Sequence, residues 1–287
     1  FLILVILCIV VTILNPRFLS SINIQNTLNL IGLYGIFSLG VALPIITGGI
    51  DLSIGSVLAF LGVILSLALG AWGWPIWASV GAVLVCGSCL GAFHGILITK
   101  VKLQPFVVTL CGLMLYRGLT RYIANDETKG FTEGQAAPAL SKLVTGSTFN
   151  YPNSFVFLIL LSIVLWVLLH RSVYGRHLFA LGKNEEAARY AGVNVKLMTM
   201  SAYIICCLLV AVASIFMAFY TNSISPSTHG NSYELYAIAA AVLGGCSLRG
   251  GEGSVPGILI GTALLQVLQN LVNLLGIPSA LNFAVSG

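Results

Sequence analysis

Apolar residues run through this chain in blocks rather than in alternation. No Asp, Glu, Lys or Arg interrupts 18–50, 52–99, 143–170, 197–233 or 253–287. Each block exceeds the ~20 residues that one membrane crossing needs, and the second is long enough for two. Transmembrane strands would alternate apolar and polar residues over about ten positions, so these continuous blocks predict helices.

Proline, glycine and charge set the boundaries. The visible end of a first helix covers 1–14 and stops at Asn15-Pro16-Arg17. A second runs over 23–47 with a kink near Pro44, and a third follows the turn Gly48-Gly49-Ile50-Asp51-Leu52-Ser53-Ile54-Gly55 as far as about Gly70. The fourth covers 76–99, the fifth starts at Pro105 and reaches about Ile123, and the sixth covers 155–169. The seventh spans 198–220, the eighth runs from Tyr233 to Gly244-Gly245, and the ninth covers 256–275, with a further segment opening at Ile277-Pro278. The expected fold is all-α: one polytopic transmembrane bundle over 1–287, nine visible spans of about ten in the intact subunit. Its first span reads as clipped and its last as missing.

Composition agrees with this pattern, because 58% of residues are hydrophobic and 7% charged, against about 25% charged in soluble domains. The net charge of +5 therefore reads as topology, not as a nucleic-acid footprint. Lys100, Lys102, Arg171, Arg176, Lys183, Arg189, Lys196 and Arg249 fall in connections that the positive-inside rule assigns to the cytoplasm. The most basic is the loop 171–197. The polar stretch 124–152, with Asp126, Glu127, Lys129, Glu133 and Lys142, faces outward by parity. All seven cysteines lie in apolar surroundings, and Cys86-Gly87-Ser88-Cys89 reads as small helix-packing residues rather than a redox or zinc motif.

Within the basic loop, Asn184-Glu185-Glu186-Ala187-Ala188-Arg189-Tyr190-Ala191-Gly192 predicts a short water-facing helix. Asn184 is its cap, Glu185 and Glu186 suit the positive end of the dipole, and Gly192 takes the left-handed stop. So short a helix is marginal alone and is expected to press against a partner. The turns 48–55 and 244–251 resemble each other, and Gly48, Gly49, Asp51, Ser53, Gly55, Gly244 and Gly245 are hinge or gate candidates at inner helix ends. Asp51 or Ser53 is also placed to cap the third helix. Glu234 enters the eighth helix from outside, as a first-turn charge or a lip of the pathway. Arg117 and Arg121 share one face of the fifth helix. Gln266, Gln269, Asn270 and Asn273 form one stripe on the ninth, suited to interhelical hydrogen bonds or to lining a route for a hydroxyl-rich solute.

Catalytic patterns are missing. The chain holds no G-x-x-x-x-G-K-[ST], H-E-x-x-H or G-x-S-x-G sequence, and His94, His170, His177 and His229 are scattered along it, so no metal site is expected. Uphill work would then draw on a partner or an ion gradient. A secondary carrier is disfavoured because no carboxylate sits in mid-helix, and an intramembrane enzyme would need clustered His, Asp or Cys at matching depth.

Taken in order, Gly48-Gly-Ile-Asp-Leu-Ser-Ile-Gly55, Gly182-Lys-Asn-Glu-Glu-Ala-Ala-Arg-Tyr-Ala-Gly192, Tyr233-Glu234-Leu235, Gly244-Gly245 and Gly250-Gly251-Glu-Gly253 resemble the membrane permease of ribose-type ABC importers, along essentially the whole chain. Glu186-Ala187-Ala188 with Gly192 is similar to the E-A-A-x-x-x-G loop on which such permeases dock their ATPases. The resemblance implies a coupling helix seated on a nucleotide-binding subunit, so that ATP and Mg belong to the partner and this chain holds no cofactor. It also implies a second permease subunit, two nucleotide-binding modules, an external sugar-binding protein and the bacterial inner membrane. The implied cargo is a monosaccharide, with branched-chain amino acids or another small polar solute as the alternative.

Overall fold

The computed structural model describes residues 1–131 and 138–276. Among them the chain is overwhelmingly helical: α1 (Leu2–Leu14), α2 (Ser21–Ile46), α3 (Ile54–Leu69), α4 (Ile76–Thr99), α5 (Pro105–Ile123) and α6 (Pro138–Thr145), then α7 (Asn153–Trp166), α8 (Val173–Lys183), α9 (Glu185–Tyr190), α10 (Val195–Thr221), α11 (Tyr233–Leu243) and α12 (Val255–Leu274). Five stretches are long and apolar enough to cross a membrane by length and composition: α2, α4, Asn153–Arg171, α10 and α12. Glu133 and the segment opening at Ile277-Pro278 lie outside the described residues.

The helices form one bundle around α2 and α10. Of their most apolar stretches 83% and 78% are buried, against 28% for α4, which places α4 at the periphery. α10 packs on α2, α3 and α4, while α7 and α12 cover other faces of α2, and α5 lies on α3. α1 rests on α12 at the margin, where Val11, Phe18 and Val267 make a separate small cluster. Large apolar side chains such as Ile3, Trp77, Val85, Met114 and Ile163 remain exposed. An outer surface of this kind suits lipid rather than water.

Two features of packing position the site. First, α4 approaches α10 through Gly87, Gly91 and Gly95, one residue per turn. A Cβ on Gly91 would lie 2.7 Å from Ile204 Cα, and one on Gly87 would lie 2.9 Å from the Cys207 carbonyl. Only glycine lets the two backbones meet so closely. Second, α3 with 16 residues and α11 with 11 reach only about 24 and 16 Å at 1.5 Å per residue, less than the ~30 Å hydrocarbon core. Their N-terminal ends are brought together. A Cβ on Gly55 would collide with the Gly230 carbonyl and with Glu234 Oε2.

The basic connection 171–197 holds more helix than the one short helix that the sequence predicts there. It is mostly helix: a π turn over Val167–Arg171, then α8, α9 and, from Val195, the start of α10. Ser172 accepts a hydrogen bond from Gly175 N–H at 3.2 Å and starts α8. Gly175, Leu178 and Leu181 recur at three-residue spacing and are the face that α8 buries.

Candidate coupling and translocation sites

α9 is built as a capped peg. Asn184 is extended, and its Oδ1 accepts from Ala187 N–H at 2.9 Å. Glu185 in the first turn meets Arg189 at 2.7 Å, an i,i+4 pair that also suits the helix dipole. Gly192 closes the peg with φ +84°, a value that L side chains adopt at a cost. Ala188 is buried, while Glu186 and Tyr190 are exposed, Tyr190 at 91%. Ala187 lies on the same short helix. The motif therefore presents a polar and aromatic face away from the bundle.

The peg is joined to both glycine turns. Lys183, one residue before Asn184, pairs with Glu252 at 2.5 Å. Gly251 N–H donates to the Ile46 carbonyl at 2.8 Å, binding the turn after α11 to the end of α2. Between them sits Gly182, where a Cβ would strike the Ile46 carbonyl and Gly251 N, while Gly250, at φ +83°, would strike Gly48 N and the Gly182 carbonyl. Gly48 itself has φ +82° and Gly245 φ +92°. Gly244 backs onto Gly257 at the start of α12. Two turns that look alike in sequence are thus held edge to edge, with the end of α8 between them.

At this end of the bundle a cavity of about 810 Å³ is lined by Gly48, Gly49, Lys102, Gln104, Glu185, Arg189, Lys196 and Tyr203, among others. Tyr203 in its lining is buried, and its hydroxyl comes so near Gly49 that a Cβ there would lie 2.5 Å from it. Behind lies a polar centre. Asp51 is fully buried, and its Oδ1 accepts from Ser53 N–H at 2.9 Å and Ser53 Oγ–H at 2.6 Å. Neither residue caps α3 through its side chain: Ser53 stands at the cap position without a side-chain bond, and Asp51 instead fixes Ser53. Asp51 Oδ2 faces His94 Nδ1 at 3.7 Å and Cys207 Sγ at 4.0 Å, and His94 Nε2 lies 2.8 Å from the Tyr116 hydroxyl.

Sequence reasoning missed His94, Cys207, Tyr203 and Tyr116. The histidines are scattered in sequence, yet one of them is brought to a carboxylate and a thiol by the glycine-lined approach of α4 to α10. Only the His94-Gly95 step inside an apolar helix hinted at it.

The structure separates the two arginines of α5. Arg117 Nη1 donates to the carbonyls of Pro226 and His229 at 3.0 and 2.7 Å, tying down the segment that leads into α11. Arg121 instead makes an exposed pair with Asp126 at 2.6 Å, which holds that carboxyl below its usual range through hydrogen bonding and charge. Glu234 is buried in the first turn of α11, where its Oε2 lies beside Gly55 at the start of α3. On α12, Asn270 exchanges amide hydrogen bonds with Asn23 of α2 at 2.8 and 3.1 Å. Gln266 is buried on the same helix, and Gln269 and Asn273 are partly exposed or exposed.

Comparison with known proteins agrees with this architecture. Residues 23–287 match the family model described as branched-chain amino acid transport system / permease component. The chain is 38% identical to a ribose import permease protein of Bacillus subtilis, covering 100% of this chain and 88% of that one. Against the ribose import permease protein of Escherichia coli K12 the identity is 37%, with 96% and 85% covered. An autoinducer 2 import system permease protein of Klebsiella pneumoniae is 34% identical over 96% of this chain and 82% of its own length. In fold alone, the chain resembles an inward-facing ABC transporter described as metal-chelate type, with TM-score 0.55 and 16% identity over 99% of this chain and 92% of the other. With its apolar helices, and with relatives that it matches over 82–88% of their length, this chain is a multi-pass membrane protein and belongs to the branched-chain amino acid transport system / permease component family of ABC import permeases.

Proposed function

We propose that this chain is the membrane subunit of an ATP-driven importer that takes up a monosaccharide, ribose-like in size and polarity. The observation that carries this is likeness at 36–38% identity, over nearly the whole chain, to ribose import permeases. The branched-chain alternative rests on the family description alone. In this reading α1–α5, α7 and α10–α12 lie on nine crossings, those through α3 and α11 completed by the non-helical residues before each helix, and the basic end faces the cytoplasm of a bacterial inner membrane. The chain hydrolyses nothing itself. It pairs with a second permease subunit, takes its drive from two nucleotide-binding modules that bind ATP and Mg, and receives sugar from an external binding protein.

α9 is the docking element. Closure of the ATPase pair displaces Asn184–Gly192, and Lys183 and Gly182 pass that displacement to the turns 48–55 and 244–251. The hinge glycines and Asp51 then alter access between the basic-end cavity and the junction of α3 with α11, where Glu234 sits. The cavity at the basic end, lined by Lys102, Arg189 and Lys196, corresponds to inward access.

The test is uptake of labelled ribose and of labelled leucine by cells carrying the whole system. Ribose uptake with leucine unaffected supports the substrate class, and the reverse overturns it. For docking, a Cβ at Gly192 meets nothing within 4 Å in this chain. Gly192→Leu is therefore expected to abolish uptake and co-purification of the ATPase. Gly192→Asn, which tolerates the left-handed conformation, separates backbone strain from blocked docking. Unchanged uptake and co-purification in Gly192→Leu would sink the docking role.

A further inference from the structure

We propose that Asp51, His94 and Cys207 form a buried site for a divalent transition-metal ion of zinc type. The ligand atoms Asp51 Oδ2, His94 Nδ1 and Cys207 Sγ all lie within 4.8 Å of one another. All three residues are buried, Asp51 and Cys207 at 0% and His94 at 1% exposure.

Asp51 and His94 each have one polar atom already used and one turned to the cluster, which Cys207 completes with its Sγ. Asp51 Oδ1 is taken by Ser53, and Oδ2 is directed at the other two residues. His94 Nε2 is taken by the Tyr116 hydroxyl, while Nδ1 is buried with no hydrogen-bond partner. This is how a ligating imidazole is held, with the distant N–H bonded to an orienting oxygen and the near nitrogen's lone pair free. The 3.7 Å from Nδ1 to Oδ2 exceeds hydrogen-bond reach, and 4.0 Å from Sγ to Oδ2 is the outer limit for a thiol. Metal bonds of ~2.0 Å to N and O and ~2.3 Å to S put tetrahedral ligand atoms about 3.3–3.5 Å apart. The three atoms therefore need only a small closure to share one ion.

Charge points the same way. A buried carboxylate is costly unless it is compensated. A carboxylate, a thiolate and a neutral imidazole around M²⁺ sum to zero, and this mixture of donors selects zinc-like ions over calcium or magnesium. The basic-end cavity is lined by Gly49 and Tyr203, and Gly49 is two residues before Asp51, which brings that side of the bundle close to the site. The ion would tie the turn before α3 to α4 and α10, three elements between which no disulfide runs.

The intact permease is purified in detergent with its partners, stripped with chelator and titrated with Co²⁺. One Co²⁺ per chain is expected, with tetrahedral ligand-field bands and a thiolate-to-cobalt charge-transfer band. Cys207→Ser, which keeps the packing volume, is expected to lose the charge-transfer band and about tenfold or more in Co²⁺ affinity, while size-exclusion elution is unchanged. His94→Gln is expected to weaken binding similarly. A charge-transfer band that persists in Cys207→Ser would place the ion on another thiol, such as exposed Cys89 or Cys111, and overturn the assignment. So would a folded wild-type protein that takes up no Co²⁺, which would leave Asp51 and His94 as a plain ion pair.

Discussion

Lys183 Nζ lies 2.5 Å from Glu252 Oε1, and this ion pair joins the end of α8 to the turn that follows α11. Both side chains are more than half exposed, so the pair is worth little as stability. Its value lies in position, one residue from the cap of α9.

Reversing either charge should therefore impair transport more than folding. Lys183→Glu and Glu252→Lys are each expected to lower uptake severalfold with little change in thermal melting, and the double variant to recover it. Lys183 also holds the Glu252 carboxyl below its ordinary value, first by hydrogen bonding and then by charge. Because the paired value is depressed, the contribution is complete above the free carboxylate range and is lost as pH falls below that range, through the depressed value. In reconstituted vesicles the difference between wild type and Glu252→Gln should thus shrink as pH is lowered towards about 4.

Asn184→Ala removes the acceptor for Ala187 N–H. Loss of such a cap costs about 1 kcal/mol, enough to fray a helix of six residues. The expected result is faster amide exchange at Ala187 and Ala188 and weaker ATPase co-purification, with the transmembrane helices unaffected.

Two glycines of α4 should respond in opposite directions. A Cβ at Gly91 meets the Tyr203 and Ile204 backbone of α10, whereas a Cβ at Gly81 meets nothing within 4 Å. Gly91→Ala is expected to lower the melting temperature in detergent, and Gly81→Ala to leave it unchanged or raise it, since alanine favours helix by about 1 kcal/mol. Equal effects would argue against the close approach of α4 to α10.

Arg117→Ala frees the carbonyls of Pro226 and His229. Hydrogen bonds to a charged group contribute about 1.5–3 kcal/mol, so the segment 225–232 should exchange its amides faster while α10 and α12 keep their protection. Arg121→Ala, which removes only the exposed pair with Asp126, is the matched control with little expected effect.

Much of the helical layout was legible in the sequence, and the reasons are local. α4 and α5 begin after Pro75 and at Pro105 and end where Thr99 and Ile123 meet polar residues, so proline and charge mark them without tertiary help. The cap of α9 and its glycine stop were equally readable, since Asn184 and Gly192 act within a few residues. α8 was not, because Arg176, His177 and Lys183 hide a buried face of Gly175, Leu178 and Leu181. The polar centre was least legible of all. Asp51 and Cys207 are 156 positions apart, and only glycine packing between α4 and α10 brings them to one point with His94.

α10 starts three residues after Gly192 and runs 27 residues without a proline or glycine. At 1.5 Å per residue that is a rod of about 40 Å. A tilt of only 5° or so imposed at its foot would carry its far tip roughly 3–4 Å sideways. The same rod bears Tyr203, Cys207 and, just past its tip, the Ser223–Ile224 strand paired with Lys129–Gly130. If α9 docks an ATPase as proposed, α10 is the arm that would carry its stroke past the polar centre, about halfway along the rod, to the opposite mouth.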